Sequence, residues 1–321
     1  MEYENKTEIT EFLLLGFPSL LELQIILFVF FLLVYVLTIS ENIIIVTTIK
    51  LHPKLQKPMY FFLSNLAFLE MCYVSVTVPN LLVHVLTERK TISFSGCMTQ
   101  LFFFISLMCT ECVLLAVMAF DRYVAVCHPL QYVRIMSYEL CVQLTLSSWV
   151  SGFTITIIKI YFISKLSFCG PNIINHFFCD ISPVLNLACI DMSLAELVDF
   201  ILALVILLIP LLVTAISYIC IIYTILKISS TEGRQKAFST CASHLTVVTI
   251  FFSTTLFIYA RPKKAKSVDA NKLISLLYAV FTPLINPFIY CLRNKEIWDT
   301  ITKYLCHKIH FPDIFSVCNH K

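Results

Sequence analysis

The chain has 321 residues, 59% of them hydrophobic and only 13% charged, with five glycines. A soluble domain carries about 25% charged residues, so half that share, with a mean hydropathy of +0.86, argues against a soluble protein and for one that lives in a bilayer. A net charge of +3 is too small to suggest a nucleic-acid partner, and there is no Lys/Arg block, zinc-ligand spacing, phosphate loop or Gly-rich dinucleotide turn to suggest a cofactor.

Residues 1–22 form an acidic tail (Glu2, Glu4, Glu8, Glu11) that lacks the basic n-region of a cleaved signal peptide. A membrane-crossing helix needs about 20 mostly apolar residues. Seven segments meet that need: Leu23–Ile49, Pro58–Leu86, Met98–Val126, Leu140–Ile163, Leu197–Leu226, Ala237–Ala260 and Lys272–Leu292. They predict an all-α membrane protein, a seven-helix bundle over residues 23–293 whose partner is the lipid bilayer. The first span is too long for a signal h-region and reads as a signal anchor. In residues 294–321, Ile297, Ile301 and Leu305 recur at helical spacing, which predicts a short amphipathic helix lying on the membrane. Cys306, at its end, reads as a free thiol in preference to a palmitoylation site.

Three clues orient the bundle with its N-terminus outside and its C-terminus in the cytoplasm. Asn5-Lys6-Thr7 is a glycosylation sequon, used only on the lumenal side. Lys50, Lys54, Lys57, Arg122, Arg134, Lys227, Arg234 and Lys236 flank the spans on the other side, as the positive-inside rule expects. The basic stretch Arg261, Lys263, Lys264, Lys266 and Lys272 goes against that rule. Of the 14 cysteines, Cys97, Cys169, Cys179 and Cys189 then share the oxidising side and are disulfide candidates, whereas the cysteines inside apolar runs read as packing residues.

Ionisable side chains inside spans are expensive and usually functional. Glu70 and Glu111 fall in the second and third spans and read as an interior pair that shares a sodium ion or a single proton. Asn42 and Asn286 are further members of that polar cluster, and Glu41 is an additional carboxylate without an obvious partner. Pro210, Pro283 and Pro287 interrupt helix hydrogen bonding within spans. The run from Pro283 to Tyr290 places Asn286 between two prolines and reads as a switch point. Asp121–Arg122, followed by Tyr123, ends the third span; by itself the pair reads equally well as an interfacial anchor or as a latch that can release the arginine. Ser243 and His244 have no carboxylate nearby in sequence and are expected to make polar contacts with the inner loops, so no catalytic grouping emerges and no enzyme is expected.

Six segments together resemble one family: FLLLGFP (Phe12–Pro18), PMYFFLSNLAFLE (Pro58–Glu70), MAFDRYVAVCHPLQY (Met118–Tyr132), SYICII (Ser217–Ile222), KAFSTCASHLTVV (Lys236–Val248) and PLINPFIYCLRNKE (Pro283–Glu296). They resemble the vertebrate olfactory receptors, of the tetrapod class II type, within the rhodopsin-like G-protein-coupled receptors. The resemblance implies a plasma-membrane receptor whose partners are a small hydrophobic odorant and a heterotrimeric G protein of the stimulatory olfactory type, which raises cyclic AMP. A chemoreceptor of the same fold acting outside the olfactory epithelium is an alternative. A seven-span transporter or channel is another, of a different class.

The resemblance also implies roles. Asp121, Arg122, Tyr123, Tyr218, His244, Asn286, Pro287 and Tyr290 form the coupling and switch set, with Arg122 leaving Asp121 to meet the Gα C-terminus. Glu70 and Glu111 form the interior cation site. Disulfides Cys97–Cys179 and Cys169–Cys189 and a glycan on Asn5 are implied. The ligand is expected among Phe104, Ile105, Met108, Cys109, Ile181, Leu202, Ile206, Thr255 and Tyr259. That set has Thr255 and Tyr259 as polar anchors and no lysine, arginine or histidine, which favours hydrophobic volatiles over acids and amines. The chain departs from the family pattern at Glu41, Gln56 and Phe252–Ser253.

Overall fold

The computed structural model describes residues 10–16, 21–87, 90–166, 168, 172–185, 187–188, 193–259, 268–293 and 295–308. Five long helices cover the first five expected spans: α1 (Leu21–Leu51), α2 (Pro58–Leu86), α3 (Phe94–Cys127), α5 (Tyr138–Ser164) and α7 (Ser193–Leu226). Between α3 and α5 lies the single turn α4 (Tyr132–Ile135), and between α5 and α7 the short α6 (Ile181–Leu185). The sixth span is α8 (Thr231–Tyr259), whose apolar part, Cys241–Phe257, is shorter than the other spans. The seventh is built from α9 (Val268–Leu276) and α10 (Thr282–Arg293), and α11 (Lys295–Lys308) follows as the expected amphipathic helix.

Local chemistry explains the boundaries. Ser93 caps α3 by accepting a hydrogen bond from the Gly96 N–H at 3.1 Å, and Ser137 caps α5 through the Leu140 N–H at 3.3 Å. Pro58 opens α2, where its missing N–H costs nothing. A π-helical turn, Leu277–Phe281, joins α9 to α10 and ends just before Thr282-Pro283. Pro283 can neither donate to a regular helix ladder nor clear the carbonyl four residues back, and the wider turn accommodates it.

The third helix is the axis of the bundle. It packs on α2, α5 and α7, and most of its side chains, from Cys97 to Val124, are buried. The other helices carry apolar side chains outward: Ile26 and Leu33 on α1, Val150 and Ile157 on α5, Ile209 and Ile219 on α7. Lipid is the solvent those faces require.

Helix α5 meets α3 along a single stripe: Cys141, Thr145, Ser148, Gly152, Thr156, Lys159 and Ile163 are its buried residues. Small residues at spacing four let two backbones approach. At Gly152 the approach is so close that a Cβ would overlap Thr110 Oγ1 and sit 2.8 Å from the Ser106 carbonyl oxygen.

The expectation of an all-α chain holds for the bundle, but the loops add a small sheet. Strand β1 (Glu11–Leu14) lies between β2 (Thr91–Ser93), its antiparallel neighbour, and β3 (Ile173–Ile174), its parallel one. Phe12 is fully buried beneath it, with ring centroids 5.9 Å from Phe94 and 6.2 Å from Phe168. The tail before the first span is therefore stitched to two loops at what is here termed the sheet end of the bundle.

Candidate functional site

At the end of α3 remote from the sheet, the Arg122 guanidinium donates to Asp121 Oδ2 at 2.8 Å, with both side chains at least nine-tenths buried. The other oxygen, Oδ1, accepts from the Tyr132 hydroxyl at 2.7 Å. Helix α4 positions that tyrosine, so the loop after α3 holds the carboxylate from one side while Arg122 holds it from the other. Burial first, and then the neighbouring carboxylate, push the Tyr132 phenol above its ordinary range, so it stays a donor. Tyr123 reaches back to His128 Nε2 at 3.2 Å. The charged pair is thus buried and closed.

Sequence reasoning expected His244 to touch the inner loops. The structure corrects this: His244 is buried within the bundle, with its Nδ1 2.7 Å from the Tyr218 hydroxyl and the two rings stacked. Tyr290 approaches from α10, its ring 6.5 Å from the imidazole. The reason is helical phase, since His244 shares the inward face of α8 with Cys241, Val247, Val248 and Phe251.

Deeper in the bundle, Asn286 donates from Nδ2 to Glu70 Oε1 at 2.7 Å, joining α10 to α2. Glu111, Glu41 and Asn42 lie near enough to act electrostatically on the same carboxylate. The Asn42 amide donates to the Thr38 carbonyl, and its oxygen is buried without a partner. Carboxylates plus an unpaired amide oxygen are hard oxygen donors of the kind a sodium ion takes, so this donor set fits that ion. Among the described residues, no three His, Cys, Asp or Glu side chains converge as a metal cluster would require.

Toward the sheet end, Phe104, Ile105, Met108 and Cys109 are buried on α3, and Ile181, Ile206 and Thr255 are buried too, with Leu202 half-buried. The Phe104 ring sits 5.2 Å from Tyr73, 5.0 Å from Phe178 and 5.8 Å from Tyr278. Phe178 comes from the loop that the Cys97–Cys179 disulfide ties to the first turn of α3. That loop therefore places an aromatic side chain against the candidate ligand face. Thr255 was expected as a polar anchor, but its hydroxyl donates to the Phe251 carbonyl on its own helix at 2.7 Å, leaving only acceptor capacity for a ligand. Asn5, Cys169 and Cys189 lie outside the described residues, as do the side chains of Tyr259 and Cys306.

The structure adds an ion pair near this set that the sequence reading did not single out. Lys159 of α5 is 2% exposed and donates to Asp199 Oδ1 of α7 at 2.8 Å. Cys109 lies within electrostatic reach of both and beside Thr156. An ion pair therefore lies within electrostatic reach of one residue of the expected ligand set. Both residues fall inside expected spans, where an ionisable side chain is itself the signal. Their contact joins residues 40 apart in sequence, so only the packing of α5 against α7 reveals them as a pair.

The family model described as "Olfactory receptor" matches residues 31–308. Olfactory receptor 6B1 of Homo sapiens is 60% identical over 303 residues, covering 94% of this chain and 97% of that protein. Olfactory receptor 6B9 of Mus musculus is 59% identical over 300 residues (94% and 95% covered). Olfactory receptor 226 of Rattus norvegicus is 57% identical over 302 residues (92% of each). A multi-pass helical bundle, a closed Asp121–Arg122 pair and likeness over nearly the whole chain lead to one assignment: this protein belongs to the olfactory receptor family of seven-helix G-protein-coupled receptors, and is a receptor, not an enzyme.

Proposed function

We propose that this receptor binds a small, largely hydrophobic volatile among α3, α7 and α8 and signals through a stimulatory olfactory-type G protein, raising cyclic AMP. The observation that supports this reading is that the expected ligand residues and the Asp121–Arg122 pair lie on one helix. Phe104, Ile105, Met108 and Cys109 lie four turns or so before Asp121–Arg122 on α3. The N-terminus faces outward and the Asp121–Arg122 end faces the cytoplasm, as the sequon and the basic loops support. Ligand binding shifts a pre-existing equilibrium toward a state in which Arg122 leaves Asp121 and α8 swings away from Tyr218. The Glu70–Glu111 site holds a sodium ion or a shared proton in the resting state.

A cyclic-AMP reporter in cells that deliver the receptor to their surface, screened against volatiles of broad chemistry, tests the reading. Responses that disappear with Arg122→Ala are expected. Silence from a well-delivered receptor, with basal signal indifferent to Arg122→Ala, would falsify it.

A further inference from the structure

Lys159 and Asp199 are two ionisable groups in a place where each costs free energy to keep. Neither takes part in the Asp121–Arg122 latch or in the Glu70 site. Lys159 belongs to the stripe by which α5 packs on α3, one turn beyond Thr156, and lies within electrostatic reach of Cys109. Asp199 lies three and seven residues before Leu202 and Ile206 on α7 and so shares their helix face. The pair therefore stands in the wall of the region proposed above to receive the ligand. An ammonium carries three donors, and Asp199 accepts one of them.

We infer that the Lys159–Asp199 pair sets the charge selectivity of the ligand pocket. While paired, the two groups cancel. An uncharged volatile with a hydrogen-bond acceptor is admitted, since a remaining ammonium donor can meet it. A ligand amine or carboxylate brings one buried charge too many and is refused. Removing one partner leaves a buried charge uncompensated, and a ligand of the lost partner's charge then completes the pair. This inference rests on the location of the pocket proposed above.

Lys159→Met and Asp199→Asn are the informative variants. The probes are three molecules with one hexyl chain, ending in a methyl ketone, an amine or a carboxylic acid. Thermal unfolding of purified receptor reads binding without any G protein, and the cyclic-AMP reporter reads signalling. Lys159→Met is expected to bind the amine over the acid by on the order of tenfold or more, Asp199→Asn the reverse, and the unmodified receptor neither. If a single variant fails to reach the surface, growth with the matching probe is expected to restore delivery, because a ligand of the folded state stabilises it by mass action. Charged-probe preferences unchanged from the parent, or rescue indifferent to probe charge, overturn the inference even while ketone responses uphold the receptor reading. A charge-dependent melting shift with no cyclic-AMP response in any form leaves the inference standing and removes the signalling reading.

Discussion

The Tyr132 hydroxyl meets Asp121 Oδ1 at 2.7 Å while Arg122 holds Oδ2 of the same carboxylate at 2.8 Å. The ion pair at the end of α3 is therefore part of a three-residue cluster, and its third member belongs to the loop helix α4. Losing one hydrogen bond to a charged, buried group costs about 1.5–3 kcal/mol, and if activation releases Asp121 as proposed, the resting state bears most of that cost. Tyr132→Phe should accordingly raise ligand-free cyclic-AMP output, normalised to surface receptor, by roughly tenfold or more. Output equal to the parent would mean that the bond survives activation.

The close approach of α3 and α5 at Gly152 makes a packing prediction. A methyl group there meets Thr110 Oγ1 and also backbone atoms, the Ser106 oxygen and the Thr110 nitrogen, both at 2.8 Å. Side chains can swing aside, whereas backbones of packed helices cannot. Gly152→Ala should destabilise the receptor by about 1–3 kcal/mol, seen as a lower melting temperature in detergent, and Thr110→Ala in the same chain should restore only part of the loss. Complete restoration would place the obstruction in the hydroxyl alone.

The Glu70–Asn286 bond joins α2 to α10 beside the π-helical turn. Asn286→Ala leaves a buried carboxylate oxygen without its donor, at a cost of about 1–3 kcal/mol. Glu70→Gln keeps the shape but removes the charge. If the site holds sodium, replacing sodium by choline should lower the melting temperature of the parent protein and leave Glu70→Gln unmoved. Equal sodium dependence in both proteins would put the ion elsewhere.

His176, in the loop under the sheet, gives a prediction for pH. Its Nδ1 lies 3.1 Å from the Phe178 carbonyl and its Nε2 is buried without a partner. Burial lowers its pKa below the ordinary histidine value; Asp180 and the Phe178 carbonyl oppose that shift, and Lys272 adds to it. The folded form thus binds its proton less readily than the unfolded chain. Stability is full above about pH 6.5, the unfolded value, and is lost as pH falls from there toward the depressed folded value. Melting temperature should fall between neutral pH and pH about 5, and His176→Gln should flatten that fall.

Much of this architecture was legible from residue order. Each span is a local property, a run of apolar residues long enough to cross the bilayer, and lipid forces such a run into a helix because its backbone groups have no other partner. The break at Pro283 is local in the same way. Asp121–Arg122, Glu70 and Glu111 could be named because charge inside an apolar run is visible without knowing the fold. Lys159 and Asp199 carried that same signal, yet their pairing was not legible, since nothing in either segment says that the two meet.

What only the tertiary structure decided are the contacts between segments. The inward phase of His244 toward Tyr218, the Tyr132 hydroxyl on Asp121, the Asn286 amide on Glu70 and the stitching of β1 between β2 and β3 all join residues far apart in the chain. Hydropathy is blind to them, because it assigns a depth in the membrane and not an angle about a helix axis. The sequence by itself determined that seven helices cross a bilayer and which of them carry charge. The packing of α3 against α5 and α7 decided which charges meet, because a buried charge takes whichever partner the neighbouring helix brings within reach.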